Sequence, residues 1–221
     1  MKYILIIGNS GGIGAALEQE YLRKGWRCTG LSRRHQGLDL PQPETIAQAL
    51  AGVDGSFDTV IISTGGLTIG STGPEKTIRA VTAQGMADQM QLNAIGPALI
   101  LSQIGRLMPR DSVARLAVLS ARVGSIGDNR LGGWVSYRAA KAALNQIVHT
   151  SAIELARSHP FLTCFSLHPG TVETPLTKPF AANHGVLAAV EAAVMLHDVI
   201  EARVPSDTGG FFDQNGLQVP W

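Results

Sequence analysis

Apolar residues in this chain gather in short runs separated by longer segments of mixed polarity. KYILII (2–7), WRCTGL (26–31), DTVIIS (58–63), ARLAVLS (114–120) and LTCFSLH (162–168) are nearly continuous in apolar or β-favouring residues. Such runs are expected of parallel strands covered on both faces, because a half-solvated strand would alternate. Between them the pattern predicts helices at about 12–24, 43–51, 83–108 and 137–157, and another at about 186–201. A last short strand is expected from GGFFD near 209–213. Strand–helix alternation predicts an α/β fold, a doubly wound parallel sheet. No repeat, linker or compositional break marks a second domain, so residues 1–221 read as one domain.

Composition narrows the function classes. With 221 residues, 45% apolar and 16% charged, the chain can bury a sizeable core. Net charge is +1 and no Lys/Arg run exceeds two, which argues against nucleic acid or an anionic membrane surface as partner. The opening MKYILII resembles a secretion signal, but its apolar run stops at glycines and is too short to span a bilayer; a buried strand is expected. Cys28 and Cys164 lie in apolar runs and the six His show no metal-ligand spacing, so no metal site is expected. A reducing, cytoplasmic setting follows as the default.

Three stretches carry candidate chemistry. GNSGGIG (8–14) falls where the first strand ends and a helix begins, with glycines at 8, 12 and 14. A turn so rich in glycine lets backbone N–H groups approach a phosphate at a helix N-terminus. A tight turn that merely needs glycine is the plain alternative, and a P-loop is excluded because no Gly-Lys-Ser/Thr follows. In LSRR, Ser32 stands where dinucleotide folds often place a ribose-binding acid, and Arg33 and Arg34 follow. A carboxylate would repel a 2′-phosphate that a guanidinium can grip, which favours NADP(H) over NAD(H); solvated loop arginines are the alternative. VSYRAAKAAL sets Tyr137 one helical turn before Lys141, on one face.

Taken in order, these motifs resemble the short-chain dehydrogenase/reductase family, a Rossmann-like fold, over nearly the whole chain. STGG (63–66) is similar to the family's Asn-Asn-Ala-Gly segment with both asparagines replaced, QLNAIGP (91–97) carries its Asn at 93, and HPGTVETP (168–175) its Pro-Gly segment. VGSIGDN, GGWVSYRAAKAALNQ and the terminal VPW resemble its C-factor and sniffer-like carbonyl reductase branch. The resemblance implies cofactor binding by Gly8, Ser10, Gly12, Ile13, Gly14, Ser32, Arg33, Arg34, Asp39, Leu40, Thr64 and Gly65, and by Tyr137, Lys141, Pro169, Gly170, Val172 and Thr174. Only about five residues separate Arg34 from Asp39, so a trimmed sheet edge is expected there.

The same resemblance implies that Tyr137 is the proton donor or acceptor in carbonyl reduction or alcohol oxidation, with Lys141 and Asn93 as catalytic partners. Lys141 would also bond the nicotinamide ribose, and Asn93 would hold a water that resupplies the proton. A tyrosine titrates near ~10, so work near neutrality asks for roughly 4 kcal/mol, about what an ammonium at ~4 Å supplies at an effective dielectric of ~20. The family's serine aligns with Ala121, leaving Ser120 one residue early and Ser125 four late. On a strand Ser120 would face away from its neighbour's side. Losing one oxyanion donor can cost ~10²–10³ in rate.

The implied function is reduction of a small carbonyl compound, or the reverse, without nucleic acid or membrane. The apolar faces of 95–107 and 140–155 suggest a homo-oligomer, dimer or tetramer, with burial in one subunit's core as the alternative. PLTKPFAANHG (175–185) is short for a substrate lid, which suggests an open site. Trp134 and Trp221 are either substrate-facing or packed. A rival from another class is a cofactor-binding sensor or signalling protein with little turnover.

Overall fold

The computed structural model describes residues 1–70, 72–174 and 186–221. Six strands, β1 (Tyr3–Ile7), β2 (Arg27–Leu31), β3 (Thr59–Ile62), β4 (Ala114–Leu119), β5 (Leu162–His168) and β6 (Phe211–Asp213), form one sheet in the order β2-β1-β3-β4-β5-β6. Every pairing is parallel. The Rossmann-like, doubly wound parallel-sheet expectation holds. After β1 the chain turns outward to β2, then returns to place β3 on β1's other side. That reversal opens a crevice at the carboxyl ends of β1 and β3, where ligands bind in such sheets.

Strand residues alternate between two cores. Leu5, Ile7, Val60, Ile62, Leu116, Val118 and Cys164 face one side. There they pack on α3 (Pro43–Ala51), α5 (Gly96–Ile104) and α6 (Val135–Ala156) through residues such as Leu50, Ile104 and Leu144. Ile4, Ile6, Ile61, Leu119, Phe165 and Leu167 face α1 (Gly12–Arg23) and α7 (Ala189–Ala202). Both faces are covered, which is why the strands carry no polar alternation.

Local departures from the expected elements have physical reasons. The helix expected at 83–108 is four pieces: α4 (Ala83–Met90), a π-turn (Gln91–Ile95), α5 and a closing 3-10 turn (Gly105–Leu107). The apolar rhythm runs through the π-turn and hides it. Arg33–Gln36, expected as loop, closes one helical turn, α2, that ends at Gly37 in the left-handed region. As expected, β2 is the sheet edge and no strand lies between it and α3. Ile100, Ile104, Leu144 and Val148 are buried in the chain's own core, while Ile95 and Ile153 are exposed. The lid residues 175–185 lie outside the described residues.

Phe165 is fully buried and meets Phe212 edge-on at 6.0 Å between ring centres. Phe165→Ala is expected to lower unfolding free energy by ~3–5 kcal/mol, read as a shifted urea midpoint with unchanged slope.

Candidate active site

The turn after β1 is built for close approach. A methyl group at Gly14 would stand 2.2 Å from the Gly8 carbonyl oxygen, so no side chain fits there. One at Gly12 would stand 2.7 Å from Thr174 Cγ2, which places the glycine turn against the segment that follows Pro169-Gly170. Gly11 caps α1 with no side-chain acceptor, so the first N–H groups of this 12-residue helix have no side-chain cap. At the rim Ser32 Oγ and Thr64 Oγ1 are buried without a partner among the described residues. A bare helix N-terminus, a cradle without side chains and two orphaned hydroxyls fit the phosphate and ribose groups of a dinucleotide.

Of the other expected cofactor contacts, Ser10, Arg33 and Arg34 are exposed. Arg33 Nη1 lies 3.6 Å from Asp39 Oδ1. Val172 and Thr174 are buried. Leu40 buries its side chain in the core with Gly96 directly against it, which leaves its backbone to meet a ligand. Ile13 likewise packs on the core and offers its backbone.

Three elements converge beyond the turn. Asn93, buried in the π-turn, accepts the Gly66 N–H at 3.0 Å and donates to the Gly66 carbonyl at 2.8 Å and to Gln89 Oε1 at 2.7 Å. Both of its amide hydrogens are therefore committed within the protein. Gly65, at φ 141°, brings the exit of β3 so near that a Cβ there would be 2.8 Å from Asn93 Oδ1 and 3.4 Å from Lys141 Nζ. Lys141, buried in α6, donates to the Leu119 carbonyl at 3.2 Å, and its Nζ lies 5.9 Å from the centre of the Tyr137 ring.

The expected electrostatics differ here. Burial raises the Tyr137 phenol above its ordinary value and lowers the Lys141 ammonium to about 8. Within the protein, loss of hydration outweighs any attraction between the two, so the spacing alone does not make the phenol acidic. A lysine at about 8 is still mostly charged near neutrality.

No serine stands at Ala121. Ser120 Oγ donates to Asn145 Oδ1 at 2.6 Å, and Ser125 Oγ donates to the Pro220 carbonyl at 2.5 Å, so both hydroxyls are engaged elsewhere. Trp221 stacks on Phe211 at 5.7 Å while remaining 42% exposed, and half-buried Trp134 meets Tyr137 edge-on at 6.3 Å. Among the described residues no cluster could hold a metal and no helix is long and apolar enough to cross a membrane.

Sequence reasoning overlooked His168, at the end of β5 just before Pro169. Its Nδ1 is buried without a partner among the described residues. Burial, then the Arg122 charge, press it down to about 4, against the pull of Asp213. That value lies below the ordinary 6.5, so between pH 6.5 and 4 the unfolded chain binds more protons and stability falls as pH drops. The loss is expected to reach roughly 3 kcal/mol. His168→Asn should remove this part of the slope in urea titrations at several pH values, leaving the carboxylate part.

A family model described as Enoyl-(Acyl carrier protein) reductase matches residues 11–208. The chain is 35% identical to the C-signal of Myxococcus xanthus over 136 residues, 62% of this chain and 78% of that one. It is 32% identical to the 1-hydroxy-2-glutathionyl-2-methyl-3-butene dehydrogenase of Rhodococcus sp. (strain AD45) over 60% of this chain, and spans 57% of that relative's length. A short-chain dehydrogenase/reductase of Burkholderia multivorans with bound NADP superposes with a TM-score of 0.84 at 29% identity, over 100% of this chain and 99% of that one. A carbonyl reductase of Pseudomonas aeruginosa PAO1 gives 0.80 at 25%, over 100% of both chains. With most of its length inside the family model and an all-parallel sheet that superposes on a short-chain dehydrogenase/reductase over the whole chain, this chain belongs to the short-chain dehydrogenase/reductase family of oxidoreductases.

Proposed function

We propose that the protein is an NADP(H)-dependent reductase of small carbonyl compounds, with Tyr137 as proton donor. The observation that carries this reading is the convergence of Asn93, Gly65 and Lys141 beside the Tyr137 ring at the carboxyl end of the sheet. When bound, the nicotinamide would supply the hydride. Tyr137 would give its hydroxyl proton to the carbonyl oxygen as that hydride reaches the carbon; alcohol oxidation is the reverse. Lys141 would hold the ribose and place its charge near the phenol. Arg33 and Arg34 at the end of β2 would grip a 2′-phosphate, a reading supported by the NADP-bound relative. The two free cysteines suit a reducing compartment such as the cytoplasm, and the exposed Ile95 and Ile153 suit a homo-oligomer.

Ala121 favours a second reading, a cofactor-binding sensor with little turnover, which the C-signal relative also supports. NADPH oxidation against a panel of aldehydes, ketones and quinones separates the two. Tyr137→Phe is expected to lower kcat ~10²–10⁴-fold with NADPH affinity nearly kept. Equal rates from both proteins, or none from either, would favour the sensor.

The phosphate assignment has its own check. Arg33→Ala is expected to weaken NADPH binding ~10-fold or more while leaving NADH nearly unchanged, since a charged hydrogen-bonded pair is lost only in the first case. Fluorescence titration with both nucleotides measures it, and an unchanged preference would remove the argument.

A further inference from the structure

We propose that Glu75, in the loop between β3 and α4, is a positioning residue for Tyr137: it caps the first turn of α6 from outside the helix and thereby sets where the phenol lies. The inference rests on the reading of Tyr137 as proton donor. Helix α6 begins abnormally. Its N-cap, Trp134, has φ 53° and ψ 41° and no side-chain cap, whereas an ordinary cap is extended and carries its own acceptor. The missing acceptor arrives from 61 residues upstream. Glu75 Oε2 accepts the Ser136 N–H at 3.3 Å and Glu75 Oε1 accepts the Ser136 hydroxyl. The Glu75 carbonyl accepts the Trp134 N–H at 2.6 Å, holding the left-handed turn in place.

The charge suits the place. Burial works against the Glu75 carboxylate, but the Ser136 hydroxyl, Glu75's own N–H and the Ser136 N–H together more than offset it and hold its pKa below the ordinary range. An anion at the start of a 22-residue helix is also favoured by the helix dipole. Tyr137 is the next residue after Ser136, and its ring packs edge-on against Trp134. Lys141 lies a full turn deeper, fastened to Leu119. Loosening the cap would therefore move the phenol and spare the lysine.

The test compares Glu75→Ala, Glu75→Gln and Ser136→Ala with wild type and Tyr137→Phe. Amide hydrogen exchange in residues 135–138 is expected to speed up ~10-fold or more in Glu75→Ala, with residues 141–144 unchanged. A displacement near 1 Å can cost ~10²-fold in rate, so kcat should fall ~10–100-fold while the NADPH dissociation constant stays within ~2-fold. Glu75→Gln keeps one acceptor and should recover much of the rate. If Glu75→Ala fails to fold, Ser136→Ala carries the test, with kcat expected several-fold lower at unchanged NADPH affinity. Unchanged kcat in these variants, or loss of stability, NADPH binding and rate in step, would overturn the proposal. An inactive Tyr137→Phe beside active Glu75 and Ser136 variants would sink this inference alone. An active Tyr137→Phe would sink the catalytic reading beneath it.

Discussion

The carboxamide of Asn93 meets the Gly66 peptide on both of its polar edges, and the layout of the site follows from that pairing. Fully buried, the side chain has no water to fall back on, and an unmade bond there would cost ~1–3 kcal/mol. The double bond fixes the exit of β3 against the helix system that carries Asn93, while Gln89 secures the next carbonyl, that of Leu67. Gly65 is thereby pressed between Asn93 and Lys141. Three segments far apart in sequence then share one register. The π-turn matters because it breaks the regular helix where Asn93 reaches inward, and such turns recur at functional sites.

Much of this was legible because the causes are local. Continuous apolar runs announce parallel strands covered on both sides, and Gly8, Gly12 and Gly14 announce a turn with no room for side chains. Tyr137 and Lys141 share a helix face by spacing alone. The unread parts depend on distant partners. The π-turn leaves the apolar rhythm of 83–108 intact. Glu75 is one acidic residue in a Gly/Pro-containing loop, and nothing nearby in sequence announces a partner 61 positions on. Leu40 shows a motif position whose side chain answers to the core.

The electrostatics reward a similar distinction. Spacing predicts that an ammonium acidifies the phenol, but spacing says nothing of desolvation. In the folded chain burial dominates, keeping the proton on Tyr137 and easing it from Lys141. A phenol that holds its proton is the form carbonyl reduction requires, whereas alcohol oxidation begins from the phenolate. On the proposed reading, the protein's own groups therefore supply the reductive state at neutral pH, and the oxidative state needs additional positive charge nearby.

The missing serine sharpens this. On the proposed reading, the developing oxyanion would have Tyr137 as donor and no hydroxyl from Ala121, since Ser120 and Ser125 are held by Asn145 and Pro220. A lost donor of that kind is worth ~10²–10³ in rate. With one donor fewer, the remaining one must be better placed, because the stabilisation a hydroxyl gives falls steeply with distance and angle. The outside cap on α6 meets that need. It holds the first turn, where Tyr137 sits, by a charged acceptor supplied from outside the helix. Departure from the family pattern at 121 and the unusual start of α6 at 134 are then two parts of one constraint: a site that leans on a single phenol must fix that phenol firmly.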